Sequence, residues 1–263
     1  MRAIDDDAWS RYERDGYLHL GRTLDDAALA GLCERIDDYM QGRRCADALT
    51  MQLDLGGDYA AMGPMTLGHK GATDKYRKIE NLELDDRFRA FMTRPLFSGI
   101  CAKVYGEGAA IGVYRAMFMN KPARQGTVLP WHQDGGTSWG LDRDPLMTVW
   151  TALDPATIAN GCVEIIPGSH RLGLLHEQGH TVTEEHIAAH CRPGRSVMLE
   201  LAAGETVLLH NWLLHRSGIN DTDIPRRAFS VCYMDARTVQ RPTGRTYATV
   251  LTARAGLAER LAV

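Results

Sequence analysis

The chain changes character after Gly108, and no other feature limits its fold as much. Downstream lie six short β-favouring runs, at 110–119, 146–153, 162–166, 196–201, 205–210 and 227–234, separated by turns carrying Gly, Pro, Asn and Asp. Such a pattern predicts an all-β barrel or sandwich with helices packed outside it. Upstream, residues 5–15 and 24–41 have acidic starts and helical spacing. Leu24, Ala28, Leu32, Ile36 and Tyr39 share one stripe, and Gly42 supplies a stop. A Gly-rich interval at 54–74, suited to a lid, precedes a third helical stretch at about 85–105 that Pro95 divides in two.

With 263 residues and 44% hydrophobic content the chain can bury a full core, so a single domain over 1–263 is expected. Its helical part would span 1–108 and its β core 109–235, while the Ala/Arg-rich tail 252–263 reads equally as a last helix or a frayed end. The net charge of −3, with Lys and Arg scattered, argues against a nucleic-acid partner. No stretch approaches the ~20 apolar residues that span a bilayer, and the start Met-Arg-Ala-Ile-Asp-Asp-Asp lacks a signal-peptide core. A soluble, cytoplasmic protein with no membrane partner is the expectation. Cys33, Cys45, Cys101, Cys162, Cys191 and Cys232 are far apart with no Cys-x-x-Cys pair, which speaks for reduced thiols rather than a zinc knuckle or dithiol centre.

Chemistry concentrates at His132-Gln133-Asp134. Residues two apart on an extended strand leave the same face, so His132 and Asp134 can bind one ion. Downstream, Gly204–His210 reads as a strand leading into Asn211-Trp212-Leu213-Leu214-His215, which offers two histidines as a third ligand. His215 is preferred, because Ser217 and Arg226 follow it with the hydroxyl and guanidinium that a dicarboxylate would need; His210 is read as packing or supporting. Two imidazoles and one carboxylate are the donor set that holds one face of a non-haem Fe(II) and leaves positions open for substrate and dioxygen. His170, His176, His180, His186 and His190 crowd a loop-like segment without a recurring ligand spacing.

The chain resembles the phytanoyl-CoA dioxygenase family of Fe(II)/2-oxoglutarate oxygenases over about residues 10–235. The likeness rests on Met119-Asn120-Lys121-Pro122, Trp131–Asp134, Trp150–Leu153, the run Asn160–His170, and His215-Arg216-Ser217-Gly218-x-Asn220 with Arg226. It implies a mainly β fold with flanking helices, a double-stranded β-helix (jelly roll, cupin-like), and the cofactors Fe(II), 2-oxoglutarate and O2. Residue by residue, it implies iron ligation by His132, Asp134 and His215, with Arg226 pairing the distal carboxylate of 2-oxoglutarate and Ser217 hydrogen-bonding it. Arg227 is the neighbouring alternative, but successive strand residues face opposite sides. Lys78, Gln133, Met117 and Trp150 would complete the cosubstrate pocket, and Thr137, Trp139 and Arg143 would shape the substrate mouth. Gly161 and Gly168 in the Asn160–His170 run read as turn architecture.

The implied reaction is hydroxylation of an unactivated C–H bond of a small metabolite or natural-product intermediate, with succinate and CO2 as coproducts. The carboxylate of Asp134 stands where related halogenases carry a small residue, which favours hydroxylation over halogenation. Desaturation, epimerisation and cyclisation use the same three ligands and remain alternatives, as do a non-catalytic small-ligand-binding barrel and a zinc-dependent enzyme. A small-molecule substrate is the partner expected; no oligomeric state follows from the sequence.

Overall fold

A computed structural model describes residues 4–57, 59, 62–176, 181–192 and 194–255. Two antiparallel sheets face each other, with helices behind the larger one. That sheet contains β1 (Tyr17–Arg22), β2 (Thr50–Leu53), β3 (Thr66–Leu67), β4 (Tyr76–Glu80), β5 (Ala110–Lys121), β7 (Met147–Ala152), β10 (Glu205–His210), β12 (Arg226–Asp235) and β13 (Leu251–Thr252). Its order is β1-β10-β7-β12-β5-β4-β2-β3, with β13 on β5. The smaller sheet runs β6-β11-β8-β9, from β6 (Leu129–His132), β8 (Val163–Ile165), β9 (Val197–Leu199) and β11 (His215–Ser217). This is the jelly-roll arrangement.

The larger sheet is covered on both faces, which explains why β7 is buried at every position. Alternate residues divide between two cores. Val149, Leu208, Phe229 and Val231 point back toward the helices, while Trp150, Val207, Leu209 and Ala228 point into the space between the sheets. Behind the sheet lie α1 (Asp6–Asp15), α2 (Asp26–Met40), α3 (Asp86–Met92) and α4 (Pro95–Tyr105). Asp5, Asp25 and Asp85 cap the first three, each side chain accepting from a backbone N–H of the first turn. Pro95 opens α4, where the missing N–H costs nothing, so the 85–105 stretch divides where the sequence indicated. Arg35 of α2 bonds the buried Asp85 carboxylate, which also accepts from Tyr39 Oη at 2.7 Å, tying α2 to the start of α3.

The segment 1–108 is less helical than expected. It contributes β1, β2, β3 and β4 to the larger sheet. β4 escaped the pattern because it carries Arg77, Lys78 and Glu80, and strand periodicity assigns charges to solvent, whereas Arg77 and Lys78 line internal cavities. Within 54–74, Asp54 is buried and grips Thr127 through both the backbone N–H and Oγ1, so the start of this interval is anchored to the body. The tail pairs Leu251 and Thr252 with β5; residues 256–263 lie outside the described residues.

Gly161 (φ +77°) is a turn position that needs glycine for two reasons. A Cβ there would lie 2.6 Å from the Ile219 carbonyl oxygen and 2.7 Å from that of Gly218. Gly161→Ala should lower unfolding stability by about 1–3 kcal/mol. Gly244→Ala shares the positive φ (+66°) but meets nothing within 4 Å, so it should lose only about 1 kcal/mol. Urea midpoints compare the two, and equal losses would contradict the steric account.

Candidate active site

β6 and β11 pair so that His132 lies directly opposite His215, with ring centroids 3.9 Å apart. Each imidazole donates through Nδ1 to the carbonyl two residues before it, His132 to Pro130 at 2.8 Å and His215 to Leu213 at 2.9 Å. A carbonyl can only accept, so Nδ1 holds the proton and Nε2 keeps a lone pair for a metal. Asp134 sits beyond the end of β6 rather than on it, which corrects the same-face strand argument; its backbone N–H donates to the Asn211 carbonyl at 2.9 Å. Its Oδ2 lies 4.0 Å from His215 Nε2, and one ligand atom from each of His132, Asp134 and His215 falls within 4.8 Å of the others. His210 is not part of this group.

The group opens into a cavity of about 270 Å³ between the sheets. At the β12 end stands Arg226, 3% exposed, with Nε and Nη1 buried and lacking any hydrogen-bond partner among the described residues. Its guanidinium lies 5.5 Å from the Trp150 ring centre, and burial lowers its pKa to about 10. Arg227 faces the opposite side, clamped by Asp154 at 2.7 and 2.8 Å and by Asp37 at 2.9 Å. Ser217, Met117, Trp150 and Lys78 line the cavity, as the sequence suggested. Burial, then the neighbouring Arg115 and Arg77, push the Lys78 pKa down to about 8. Lys121 lies behind Arg226, donating to the Thr127 carbonyl at 2.7 Å, and burial and Arg226 lower its pKa to about 6. Arg77 and Arg115 went unnoticed in the sequence, and Lys121 entered only as part of a family motif, because Lys and Arg within a strand read as solvent-facing.

A family model described as phytanoyl-CoA dioxygenase (PhyH) matches residues 12–228. The chain belongs to the phytanoyl-CoA dioxygenase family. By that membership it is a non-haem iron, 2-oxoglutarate-dependent oxygenase. It is 27% identical over 233 residues to a probable phytanoyl-CoA dioxygenase of Caenorhabditis elegans, covering 84% of this chain and 72% of that protein. It is 26% identical over 245 residues to L-proline trans-4-hydroxylase of Streptomyces griseoviridis, covering 84% and 82%. The chain spans about half the length of the two plant family members it matches. In fold it is similar to EctD from S. alaskensis, solved with 2-oxoglutarate and 5-hydroxyectoine (TM-score 0.70, 20% identity, 98% and 84% covered).

Three sequence-derived site residues of this family member are placed elsewhere. Gln133 does not line the cavity: its Nε2 donates to the Gly173 and Trp212 carbonyls and its Oε1 accepts from Leu175 N–H, so the side chain pins two loops together. Arg143 lies outside the lining, near Asp142 at 3.4 Å and Asp235 at 3.6 Å. Thr137 opens the short turn that presents Ser138 and Trp139 to the cavity but does not itself line it. Asn211, which no sequence pattern marked, supports Asp134 from behind; its own side chain accepts from Thr148 Oγ1 at 2.8 Å and donates to the Pro145 carbonyl at 3.0 Å.

The loop histidines disperse. His170 packs on His210, ring centres 4.8 Å apart, and His186 and His190 lie on α5 (Glu184–His190); His180 lies outside the described residues. His210 Nδ1 accepts from the Trp212 N–H at 3.1 Å, so that nitrogen is unprotonated, and burial, then His170, lower its pKa to about 4. The unfolded chain takes up this proton near pH 6.5 and the folded chain only near 4, so stability is full above 6.5 and falls as pH drops toward 4. His210→Asn, which keeps an acceptor for Trp212, should reduce that fall by on the order of 1–3 kcal/mol. Denaturant titrations at several pH values check this; parallel profiles for the two proteins would refute it.

Proposed function

We propose that the protein hydroxylates an unactivated C–H bond of a small metabolite, consuming 2-oxoglutarate and O2 and releasing succinate and CO2. The observation that carries the cosubstrate half of this reading is the orphaned, buried guanidinium of Arg226 at the end of the cavity that holds the His132, Asp134 and His215 group. A buried cation with open donors costs several kcal/mol unless an anion reaches it, and a planar fork suits a carboxylate. The residues therefore fit both groups: three ligands for one face of Fe(II), and a counter-ion for the distal carboxylate of 2-oxoglutarate.

When bound, Fe(II) with 2-oxoglutarate supplies oxidising power through decarboxylation of the cosubstrate. The chain's own residues aim and confine that chemistry. His132 and His215 offer Nε2 because their Nδ1 protons are committed to backbone carbonyls. Arg226 and Ser217 hold the distal carboxylate, and Lys78 adds a second positive group in the same cavity. Met117, Met119, Trp150 and Leu209 wall the space with apolar surface that excludes water. Asp134 keeps its carboxylate at the third ligand position, which supports hydroxylation over halogenation. A cavity of about 270 Å³ lies just below the ~300–1,000 Å³ range of ligand sites, which favours a compact substrate.

Anaerobic addition of Fe(II) and 2-oxoglutarate to the apo-protein should produce a visible metal-to-ligand charge-transfer band that His215→Ala abolishes. A folded protein showing no band would refute the cofactor assignment. Arg226→Ala should weaken 2-oxoglutarate binding by about 10²-fold or more while iron affinity holds, since it removes a buried charged pair. Unchanged cosubstrate affinity in that variant would remove Arg226 from the site. Oxygen-dependent succinate release then screens metabolites.

A further inference from the structure

The cavity contains a cation that the cosubstrate does not explain. Arg115 lines the same space as Arg226 but at the other end of the sheet floor. In register, Lys121 of β5 pairs with Arg226 and Arg115 pairs with Cys232, six residues further along β12. At ~3.3 Å per residue the two backbone positions are roughly 20 Å apart, too far for both guanidinium groups to hold one small carboxylate.

Arg115 is aimed inward by a break in the strand. Ile111 and Val113 face the helix-side core, as do Ala116 and Phe118, so the parity of β5 reverses between 113 and 116. The reversal coincides with the register shift at Cys232/Tyr233, where β5 has one extra residue, Tyr114, a β-bulge. Without the bulge Arg115 would point into the helix-side core with Ile111 and Val113. The guanidinium lies 4.9 Å from the ring centre of Tyr114 and 5.2 Å from that of Trp139, two rings stacked at 4.3 Å. These contacts orient it without consuming its N–H donors.

No hydrogen bond joins Arg115 to any described residue, and its nearest carboxylate, Glu80, stays at 3.7 Å. Arg35 and Arg227, buried outside the cavity, close on carboxylates at 2.7 Å. Arg115 keeps only the longer ion pair with Glu80, and its side chain, 31% exposed, lines the cavity into which the metal-ligand group opens. We propose that Arg115 is the substrate anchor, and that the substrate is a compact molecule bearing a carboxylate, seated against Trp139 with its anionic end on Arg115 and its reacting carbon toward His132, Asp134 and His215.

This rests on the oxygenase reading above, and the experiment separates the two. Wild type, Arg115→Gln, Arg115→Lys and Glu80→Gln are loaded anaerobically with Fe(II) and 2-oxoglutarate. Each is titrated with aliphatic and aromatic monocarboxylic acids and with the matching carboxamides, following Trp fluorescence and the charge-transfer band. The expected result is tighter binding of carboxylates than of carboxamides. Arg115→Gln should weaken carboxylate binding about tenfold to hundredfold, Arg115→Lys should restore part of it, and Glu80→Gln should leave it equal or tighter. Carboxamide affinity and the affinity for 2-oxoglutarate should not move. No carboxylate binding above its carboxamide in the wild type, or carboxylate affinity within twofold in Arg115→Gln, would overturn the anchor while the band persists. Absence of the band in the wild type would instead overturn the oxygenase reading and this inference with it.

Discussion

The pairing of two short strands, β6 with β11, governs everything functional in this molecule. It sets His132 across from His215, and each ring is locked by a hydrogen bond to a carbonyl of its own strand approach. A slip of one residue in this pairing would turn one imidazole to the other face and destroy the group. Neither strand exceeds four residues, so the register is held from outside. Ile165 of β8 flanks His215, Asn211 holds the Asp134 backbone, and Gln133 ties the two loops that flank the site.

A second constraint is charge. The space between the sheets contains Arg226, Lys78 and Arg115, none with a hydrogen bond to a described residue, and Lys121 lies just behind. Such an arrangement is unfavourable in isolation, because Arg226 and Lys78 lose hydration without gaining a carboxylate, while Arg115, 31% exposed, keeps only the Glu80 ion pair at 3.7 Å. It persists because the large helix-side core, with Phe88, Phe97, Phe229 and Tyr233 fully buried, holds the sheet rigid independently of the cavity. The depressed pKa values of Lys78, Lys121 and Arg226, each caused first by burial, are the electrostatic trace of this tension, which an anionic ligand would relieve.

Much of the site was legible in linear order. The His132, Asp134 and His215 set was marked by residue type, spacing and the family resemblance, which also pointed to Arg226, and strand alternation allowed only one of Arg226 and Arg227 to face inward. The helices and the six strands from β5 to β12 that carry runs of apolar residues also followed from periodicity. What escaped includes β1, β2, β3 and β13, and two kinds of segment close to the site. β6 and β11 are too short to generate a pattern, and β6 carries Pro130, tolerable because it lies at a sheet edge. β4 and the outer part of β5 carry cations that point inward, which periodicity assigns to water. Gln133 was assigned to the cosubstrate pocket by the family resemblance, whereas its amide is taken up by the Gly173 and Trp212 carbonyls and the Leu175 N–H.

The sequence by itself singled out the candidates for the chemistry, His132, Asp134, His215 and Arg226, and the β-rich class that carries them. These rest on side-chain type and local spacing, which survive without knowledge of contacts. Only the tertiary structure decided which cations stand unpaired inside the molecule, and that a single extra residue at Tyr114 reverses the facing of β5 and delivers Arg115 to the cavity. Bulges and unmet hydrogen bonds arise from how distant strands register against one another, and one-dimensional order carries no record of that register.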